Sequence, residues 1–178
     1  MAGLRAVQLR ERDLPARELL RLAQDVRTVT GPASVPLLIN DRIDLVLALN
    51  LAGVHLRANS LPVSVARRLL GPQRLLGVST HSVEEASRAG EDGADYVVFG
   101  PVFETPSKRL FGKPLGIRNL ADASRQTSVP VLAIGGVTAE RVREIREAGA
   151  YGVAVVTAIL TREDVVAATQ ELLAALCE

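Results

Sequence analysis

Short runs of apolar residues alternate along the chain with longer segments in which apolar residues recur at helical spacing. Residues 96–99 and 129–134 are typical of the runs, since each is almost entirely apolar and is followed by glycine. Continuous runs of this length predict strands that are covered on both faces, as in a parallel sheet. Residues 15–26 are typical of the longer segments and place leucine and valine on one face of a predicted helix. The alternation repeats seven times, which predicts seven strand–helix units.

Turn and capping residues set the boundaries of these units. Gly71 and Pro72 end one helix, and Ser82 followed by Glu85 is the capping-box pattern that begins the next. The predicted strands cover residues 4–9, 35–39, 53–56, 74–78, 96–99, 129–134 and 152–156. The predicted helices cover residues 15–26, 42–49, 62–70, 83–89, 117–125, 139–148 and 162–176.

Polar or glycine residues follow almost every predicted strand. They are Arg10, Arg12, Asn40, Asp41, Ser60, Ser79, Thr105, Lys108, Gly135, Gly136 and Thr157. A doubly wound open sheet concentrates its ligand-binding residues at one switch point, whereas a barrel gathers the ends of all its strands around one mouth. The pattern therefore favours an α/β fold of the TIM-type (β/α) barrel, with seven βα units in a single domain over residues 1–178.

Composition excludes several classes of protein. With 178 residues, 48% of them apolar and 23% charged, the chain is long enough for one core and is unlike a disordered chain. The net charge of +1 gives no electrostatic footprint for nucleic acid, and the single cysteine, Cys177, excludes an internal disulfide. No segment has the pattern of a signal peptide or a membrane span. These features predict a cytoplasmic protein without nucleic-acid or membrane partners.

The loop after residues 96–99 has the densest cluster of phosphate-binding side chains. Thr105, Ser107 and Lys108 place two hydroxyl groups and an ammonium group within four positions, just beyond the carboxyl end of a strand. Lys108 and Lys113 are the only lysines among 21 basic residues. Because lysine is a compact charge suited to phosphoryl groups, we expect Lys108 to bind phosphate. The alternative is a solvated loop in which the lysines have no such role.

The two histidines differ in their predicted roles. His55 lies inside a short apolar strand, which favours a structural residue bonded to backbone. His81 follows a strand at the predicted mouth, where an acid or base role and a turn or capping role both explain its position. The chain has no G-x-S-x-G motif, so a serine hydrolase is a poorer interpretation.

Seven segments together resemble one known superfamily. They are VQLRERDL (7–14), IND (39–41), GVHL (53–56), GVSTHS (77–82), ADYVVFGPVFETPSK (94–108), PVLAIGG (130–136) and AYGVAVVTAI (150–159). In order and spacing they are similar to thiamine phosphate synthase and its paralogues, the TenI-like thiazole tautomerases. The resemblance covers nearly the whole chain. It implies a transferase that joins hydroxymethylpyrimidine diphosphate to thiazole phosphate and releases diphosphate.

The resemblance also implies three groups of site residues. The pyrimidine and the diphosphate would be bound by Gln8, Arg10, Arg12, Asn40, Ser79, Thr105, Ser107 and Lys108, with Arg10 and Lys108 as the catalytic residues. Mg²⁺ would lie at Asn40 and Asp41, with Asp41 as its ligand. The thiazole phosphate would be bound by Gly135, Gly136 and the backbone at Val156 and Thr157. A departing diphosphate does need a cation and a ring of donors, so elementary chemistry agrees with this set.

Three positions depart from the patterns of these families. Arg12 stands where the synthases usually have lysine, and Ser60 stands where they have a second metal-binding aspartate. Pro101 stands where the TenI-like group has its catalytic histidine. Three functions therefore stay open: a synthase-type transferase, a TenI-like tautomerase or phosphothiazole-binding protein, and a barrel without catalysis.

The start of the chain departs from the relatives as well. They begin with a strand and a helix before the VQLR segment, so the resemblance implies that this first βα unit is lacking. A barrel without one strand has two facing edges with unpaired backbone groups. We expect the strands starting at Leu4 and Gly152 to border this gap. We also expect the chain to be less stable or to associate through these edges, as in a homo-oligomer.

Overall fold

The computed structural model describes residues 3–105 and 113–177. Its strands are β1 (Val7–Leu9), β2 (Leu37–Asn40), β3 (Gly53–Leu56), β4 (Leu75–Thr80), β5 (Tyr96–Phe99), β6 (Val131–Ile134) and β7 (Gly152–Ala154). Its helices are α1 (Ala16–Thr30), α2 (Ile43–Leu49), α3 (Val63–Leu70), α4 (Val83–Glu91), α5 (Gly116–Gln126), α6 (Ala139–Glu147), α7 (Thr157–Leu160) and α8 (Val165–Cys177). Strands and helices alternate as the sequence predicts, except that the unpredicted helix α7 directly precedes α8.

The strands form one parallel sheet whose order follows the sequence from β1 to β7. Each strand pairs with the next in parallel. Among the residues that the structure describes, no pairing joins β1 to β7, so these two strands are the edges of a curled half-barrel. The TIM-type α/β architecture and the gap between the first and last strands are confirmed. Loss of stability or association through these edges stays a prediction.

The hydrophobic core lies between the outer face of the sheet and the helices. The residues of the outer face include Ile39, Val54, Leu76 and Phe99, one from each of the strands β2 to β5, and each of them is at most 1% exposed. They pack with apolar residues of the helices in two clusters, one in each half of the chain. Burial of each such side chain contributes about 1.5–3 kcal/mol.

The inner face of the sheet is more polar and fixes the geometry of the site. Asn40, His55, Gly77 and Tyr96 lie side by side on the neighbouring strands β2 to β5. A Cβ at Gly77 would lie 2.1 Å from Cζ of Tyr96, so only glycine lets this ring lie across β4. The Tyr96 ring thereby comes within 5.8 Å of the His55 ring, measured between centroids.

Several boundaries differ from the sequence prediction by one to four residues, and both edge strands are shorter than predicted. β1 begins at Val7 rather than at residue 4, and β7 ends at Ala154 because the chain turns at Val156 into the short helix α7. The β-branched residues in this stretch have high strand propensity, which tertiary context overrides here. Within the described ranges, every helix lacks the length or the apolar composition that a membrane crossing requires.

Candidate active site

The carboxyl ends of β2 and β3 hold a carboxylate with four donors. Asp41 follows β2 with φ of 61°, a left-handed conformation that aspartate tolerates better than most residues. Its Oδ1 accepts from the Ser60 hydroxyl and from the backbone N–H of Arg57, at 3.3 Å for the latter. Its Oδ2 accepts from Nδ2 of Asn40 at 3.0 Å and from Nε of Arg57. We call Asn40, Asp41, Arg57 and Ser60 the carboxylate side of the site.

These contacts keep Asp41 ionised. Burial alone would raise the pKa of this carboxyl, but the hydrogen bonds from Ser60 and Arg57, with the charge of Arg57, outweigh it and hold the pKa below its ordinary value. The side chain of Asp41 is 21% exposed, so the charge can still be reached from solvent. A pre-formed anionic acceptor therefore lies at the mouth of the half-barrel.

Gln8 extends the carboxylate side to the edge of the sheet. Its Nε2 donates to Oδ1 of Asn40 at 3.2 Å, and Nδ2 of Asn40 donates in turn to Asp41. Asn40 is buried, whereas Gln8 lies exposed on the edge strand β1. The structure thus brings together three of the predicted site residues in one hydrogen-bonded chain.

His55 lies deeper on the inner face and fixes Ser79. Nε2 of His55 is 2.9 Å from Oγ of Ser79, and Nδ1 is 3.2 Å from the hydroxyl of Tyr96. His55 is 2% exposed, and this burial lowers its pKa to about 4, although the charge of Asp41 acts in the opposite direction. Burial raises the pKa of Tyr96, with a further contribution from Asp95. His55 is therefore a neutral structural residue as predicted, but its ring bonds to side chains rather than to backbone.

His81 lies in the turn between β4 and α4. Its backbone N–H donates to Oε2 of Glu85 at 2.6 Å, and its Nδ1 donates to the carbonyl of Gly100 at 2.5 Å. The N–H of Glu85 donates to Oγ of Ser82 at 3.1 Å, as the capping-box prediction requires. These contacts agree with the turn role of His81, and its acid or base role stays a prediction.

The carboxyl end of β6 presents backbone instead of side chains. Gly135 and Gly136 have φ of 94° and 63°, and a Cβ there would lie 2.6 Å from Cβ of Pro101 and 2.5 Å from the carbonyl oxygen of Glu104, respectively. The N–H of Phe103 donates to the carbonyl of Gly135 at 3.0 Å. The loops after β5 and β6 therefore approach too closely for any side chain at these two positions.

Arg141 on α6 supports this turn from outside. Its Nη1 donates to the carbonyl of Gly136 at 2.6 Å, and its guanidinium lies 4.5 Å from the centroid of the Phe103 ring. Val156 and Thr157, where α7 begins, are exposed at the end of the next strand. We call Gly135, Gly136, Val156 and Thr157 the glycine side of the site.

For the remaining predicted site residues, the structure gives a position along the chain and a degree of exposure. Arg10 and Arg12 are exposed just after β1, and Thr105 is half-buried after β5. Ser107 and Lys108 lie outside the residues that the structure describes. Arg57 and Tyr96 were not predicted. The available signal for Arg57 was its position just beyond β3, next to the strand that precedes Asp41.

A family profile, curated relatives and a solved structure that resemble this chain all carry related names. A family profile described as thiamine monophosphate synthase matches residues 1–159. The thiamine-phosphate synthase of Roseiflexus castenholzii is 44% identical over 170 residues, and that of Moorella thermoacetica is 41% identical over 170 residues. These alignments cover 96% of this chain and 75% and 81% of the two relatives. A solved thiamine phosphate pyrophosphorylase from Pyrococcus furiosus has a TM-score of 0.89 at 33% identity, covering 98% of this chain and 84% of that one.

Proposed function

Because the chain belongs to the thiamine monophosphate synthase family, we propose that it is a transferase that makes thiamine phosphate. Its substrates would be hydroxymethylpyrimidine diphosphate and thiazole phosphate, and diphosphate would be released. The observation that supports this proposal is that the carboxylate side and the glycine side lie at the same end of the sheet, beyond the carboxyl ends of parallel strands. In barrels of this type, that end holds the ligands.

The reaction requires charge stabilisation more than proton transfer. The bond between the pyrimidine methylene carbon and the diphosphate oxygen breaks, and its electron pair leaves with the diphosphate. The thiazole nitrogen then supplies the pair for the new C–N bond. In this proposal Arg10, Arg12 and Lys108 bind the departing diphosphate, assisted by the hydroxyls of Thr105 and Ser107. Donors already aimed at a developing charge stabilise it without further reorganisation.

The other two groups of residues bind the pyrimidine ring and the thiazole phosphate. Gln8, Asn40 and Ser79 offer polar atoms on the inner face for the pyrimidine, and His55 holds the Ser79 hydroxyl in one orientation. The thiazole phosphate would accept from backbone N–H groups of the glycine side. The close approach at Gly135 and Gly136 supports this part of the proposal, because a phosphate can approach backbone only where no side chain intervenes.

Mg²⁺ belongs to the proposal as well. Mg²⁺ is commonly bound by one or two carboxylates together with substrate phosphate oxygens and waters. Asp41 fits this role, because it is an ionised carboxylate at the mouth of the half-barrel. Over residues 3–105 and 113–177, no group of three His, Cys, Asp or Glu side chains could hold a metal ion. Mg²⁺ would therefore need the diphosphate oxygens in addition to Asp41, and it would neutralise charge on the leaving group.

The direct test is to incubate the protein with both substrates and Mg²⁺ and to measure thiamine phosphate. Lys108→Ala should lower the rate about 10-fold to 100-fold, because each lost charge-assisted hydrogen bond costs about 1.5–3 kcal/mol. Lys113→Ala is the matched control, because Lys113 is the other lysine of the chain and is exposed, and this variant should change little. Absence of thiamine phosphate from the unaltered protein would overturn the proposed function. Equal and mild effects of the two variants would overturn the role of Lys108.

A phosphothiazole-binding protein of the TenI-like type is the second candidate. Ser60 favours it, since this residue donates to Asp41 where the synthases have a second carboxylate. Calorimetry with thiazole phosphate alone separates the candidates. Binding without turnover in the complete reaction mixture would support a phosphothiazole-binding protein. Neither binding nor turnover would support a barrel without catalysis.

A further inference from the structure

Arg57 occupies two of the acceptor positions of Asp41. An ionised carboxylate offers about four lone-pair sites to donors. In Asp41 these sites receive the hydroxyl of Ser60, the amide of Asn40, and both the backbone N–H and Nε of Arg57. A cation ligated by Asp41 must therefore displace at least one of these donors.

Of these donors, the guanidinium of Arg57 is the one that a cation must displace. The Ser60 hydroxyl can rotate and itself accept or ligate, and the Asn40 amide is neutral, so neither opposes a nearby positive ion. Arg57 has no acceptor atom and keeps its positive charge, so it repels a divalent cation at Asp41. Its side chain is 41% exposed, which leaves it room to turn away from Asp41.

We infer that Arg57 competes with the divalent cation for Asp41 and changes partner when diphosphate binds. The inference rests on the proposed function, because it takes diphosphate as the ligand of this mouth. In the free protein Arg57 neutralises Asp41 and keeps cation affinity low. A bound diphosphate offers the planar guanidinium two acceptor oxygens that it can bind in a bidentate manner, and it supplies the cation with its remaining ligands. Cation and diphosphate therefore bind cooperatively, and the cation enters with the substrate.

Cation binding by the full chain tests this inference without any turnover. Mn²⁺ is a suitable probe, because it prefers the same oxygen ligands as Mg²⁺ and its free ion is counted by electron paramagnetic resonance. Arg57→Met removes the charge and the side-chain donor while keeping a chain of similar length. We expect it to bind Mn²⁺ about threefold to tenfold more tightly than the unaltered protein when no diphosphate is present, given the modest strength of a partly exposed ion pair.

Four further variants make the test specific. Arg57→Lys keeps the charge and should bind Mn²⁺ as the unaltered protein does. Arg42→Met is the matched control, because Arg42 forms a similar pair with Asp44, two residues along the chain, at 2.6 Å, and should leave Mn²⁺ affinity unchanged. Adding Asp41→Asn to Arg57→Met should abolish the gain. If Arg57→Met folds poorly, Arg57→Gln provides the same comparison.

Inorganic diphosphate completes the experiment. It should raise the Mn²⁺ affinity of the unaltered protein by a larger factor than that of Arg57→Met, since only the former must release Arg57. Mn²⁺ affinity that is unchanged or weaker in both Arg57→Met and Arg57→Gln would overturn the inference. So would a gain that survives Asp41→Asn. Because no product is measured, a failure to form thiamine phosphate would reject the proposed function and leave this result standing.

Discussion

At the ends of β2 and β3 the site is built from side chains, whereas at the ends of β6 and β7 it is built from backbone. On the carboxylate side, three of the four donors to Asp41 are side-chain groups, of Asn40, Arg57 and Ser60. On the glycine side, Gly135 and Gly136 touch the neighbouring loop so closely that no other residue fits without strain. The carboxylate side can therefore change its ligand preference through substitution of side chains, whereas the glycine side cannot change without a change in the backbone.

This contrast explains where the chain departs from the synthase pattern. Ser60 lies on the carboxylate side, where replacing a carboxylate by a hydroxyl still leaves a hydrogen-bonded Asp41. The glycine side keeps the sequence motif PVLAIGG of the family, because the shape of this part of the site depends on backbone conformation. Substitutions on the carboxylate side should therefore act on affinity, and substitutions on the glycine side should act on stability.

The largest effect is expected from Gly135→Ala. An alanine in a left-handed conformation costs about 1–2 kcal/mol, and its contact with Pro101 costs about 1–3 kcal/mol more through overpacking. The free energy of unfolding should therefore fall by roughly 2–5 kcal/mol. Gly93→Ala is the matched control, because Gly93 has a similar φ of 102° but its Cβ would meet Cγ of Arg67 at an ordinary 3.5 Å. Urea unfolding measures both. Equal losses in the two variants would show that the close approach at Gly135 costs nothing.

A second effect concerns pH and His55. The pKa of His55 is about 4 in the folded protein and about 6.5 in an unfolded chain, so the unfolded chain binds the proton more readily between these values. The contribution of His55 to the free energy of unfolding is thus complete above about pH 6.5 and is lost as pH falls toward 4. The loss is about 1.4 kcal/mol per pH unit, or about 2 kcal/mol by pH 5. His55→Gln should flatten this part of the profile in urea unfolding at several pH values, and an unchanged slope would contradict the prediction.

A third effect should appear on the carboxylate side with Ser60→Asp. A second carboxylate next to Asp41 adds a charged oxygen ligand, so the Mg²⁺ concentration for half-maximal diphosphate binding should fall on the order of tenfold. Ser60→Ala is the control, because it removes the donor to Asp41 without adding a ligand. Calorimetric titration of diphosphate at several Mg²⁺ concentrations measures the change. The same Mg²⁺ dependence in Ser60→Asp and the unaltered protein would place the metal elsewhere.

The smallest effect is expected from Thr157→Ala on the glycine side. If backbone N–H groups hold the thiazole phosphate, loss of this hydroxyl should weaken binding by no more than about threefold, near the lower limit for a single neutral hydrogen bond. Calorimetry with thiazole phosphate measures it. A loss of tenfold or more would mean that side chains bind the phosphate here as well, and the contrast between the two sides would disappear.

The sequence was sufficient for the order and type of nearly all the elements, because apolar periodicity and strand-end glycines are local signals. It was insufficient at residues 152–160, where strand-forming residues turn into α7. It also missed Arg57 and Tyr96, since nothing local shows that a side chain after β3 reaches Asp41, or that Gly77 leaves space for a ring from β5. Strand ends locate a site in such a fold, but contacts between strands decide which side chains meet there.

The hydrogen-bonded chain from Gln8 to Asp41 begins on β1, which over residues 3–105 and 113–177 has a neighbouring strand on one side only. Edge strands open more readily than central ones, and their amide protons exchange with solvent correspondingly faster. Each opening of β1 withdraws Gln8 from Asn40 and loosens the donor that Asn40 offers to Asp41. One of the four donors to the carboxylate is thus tied to the fraying of the sheet. A chain segment that paired with the outer edge of β1 would slow amide exchange in β1 and, through Gln8, keep the Asn40 amide bonded to Asp41 for a larger fraction of the time.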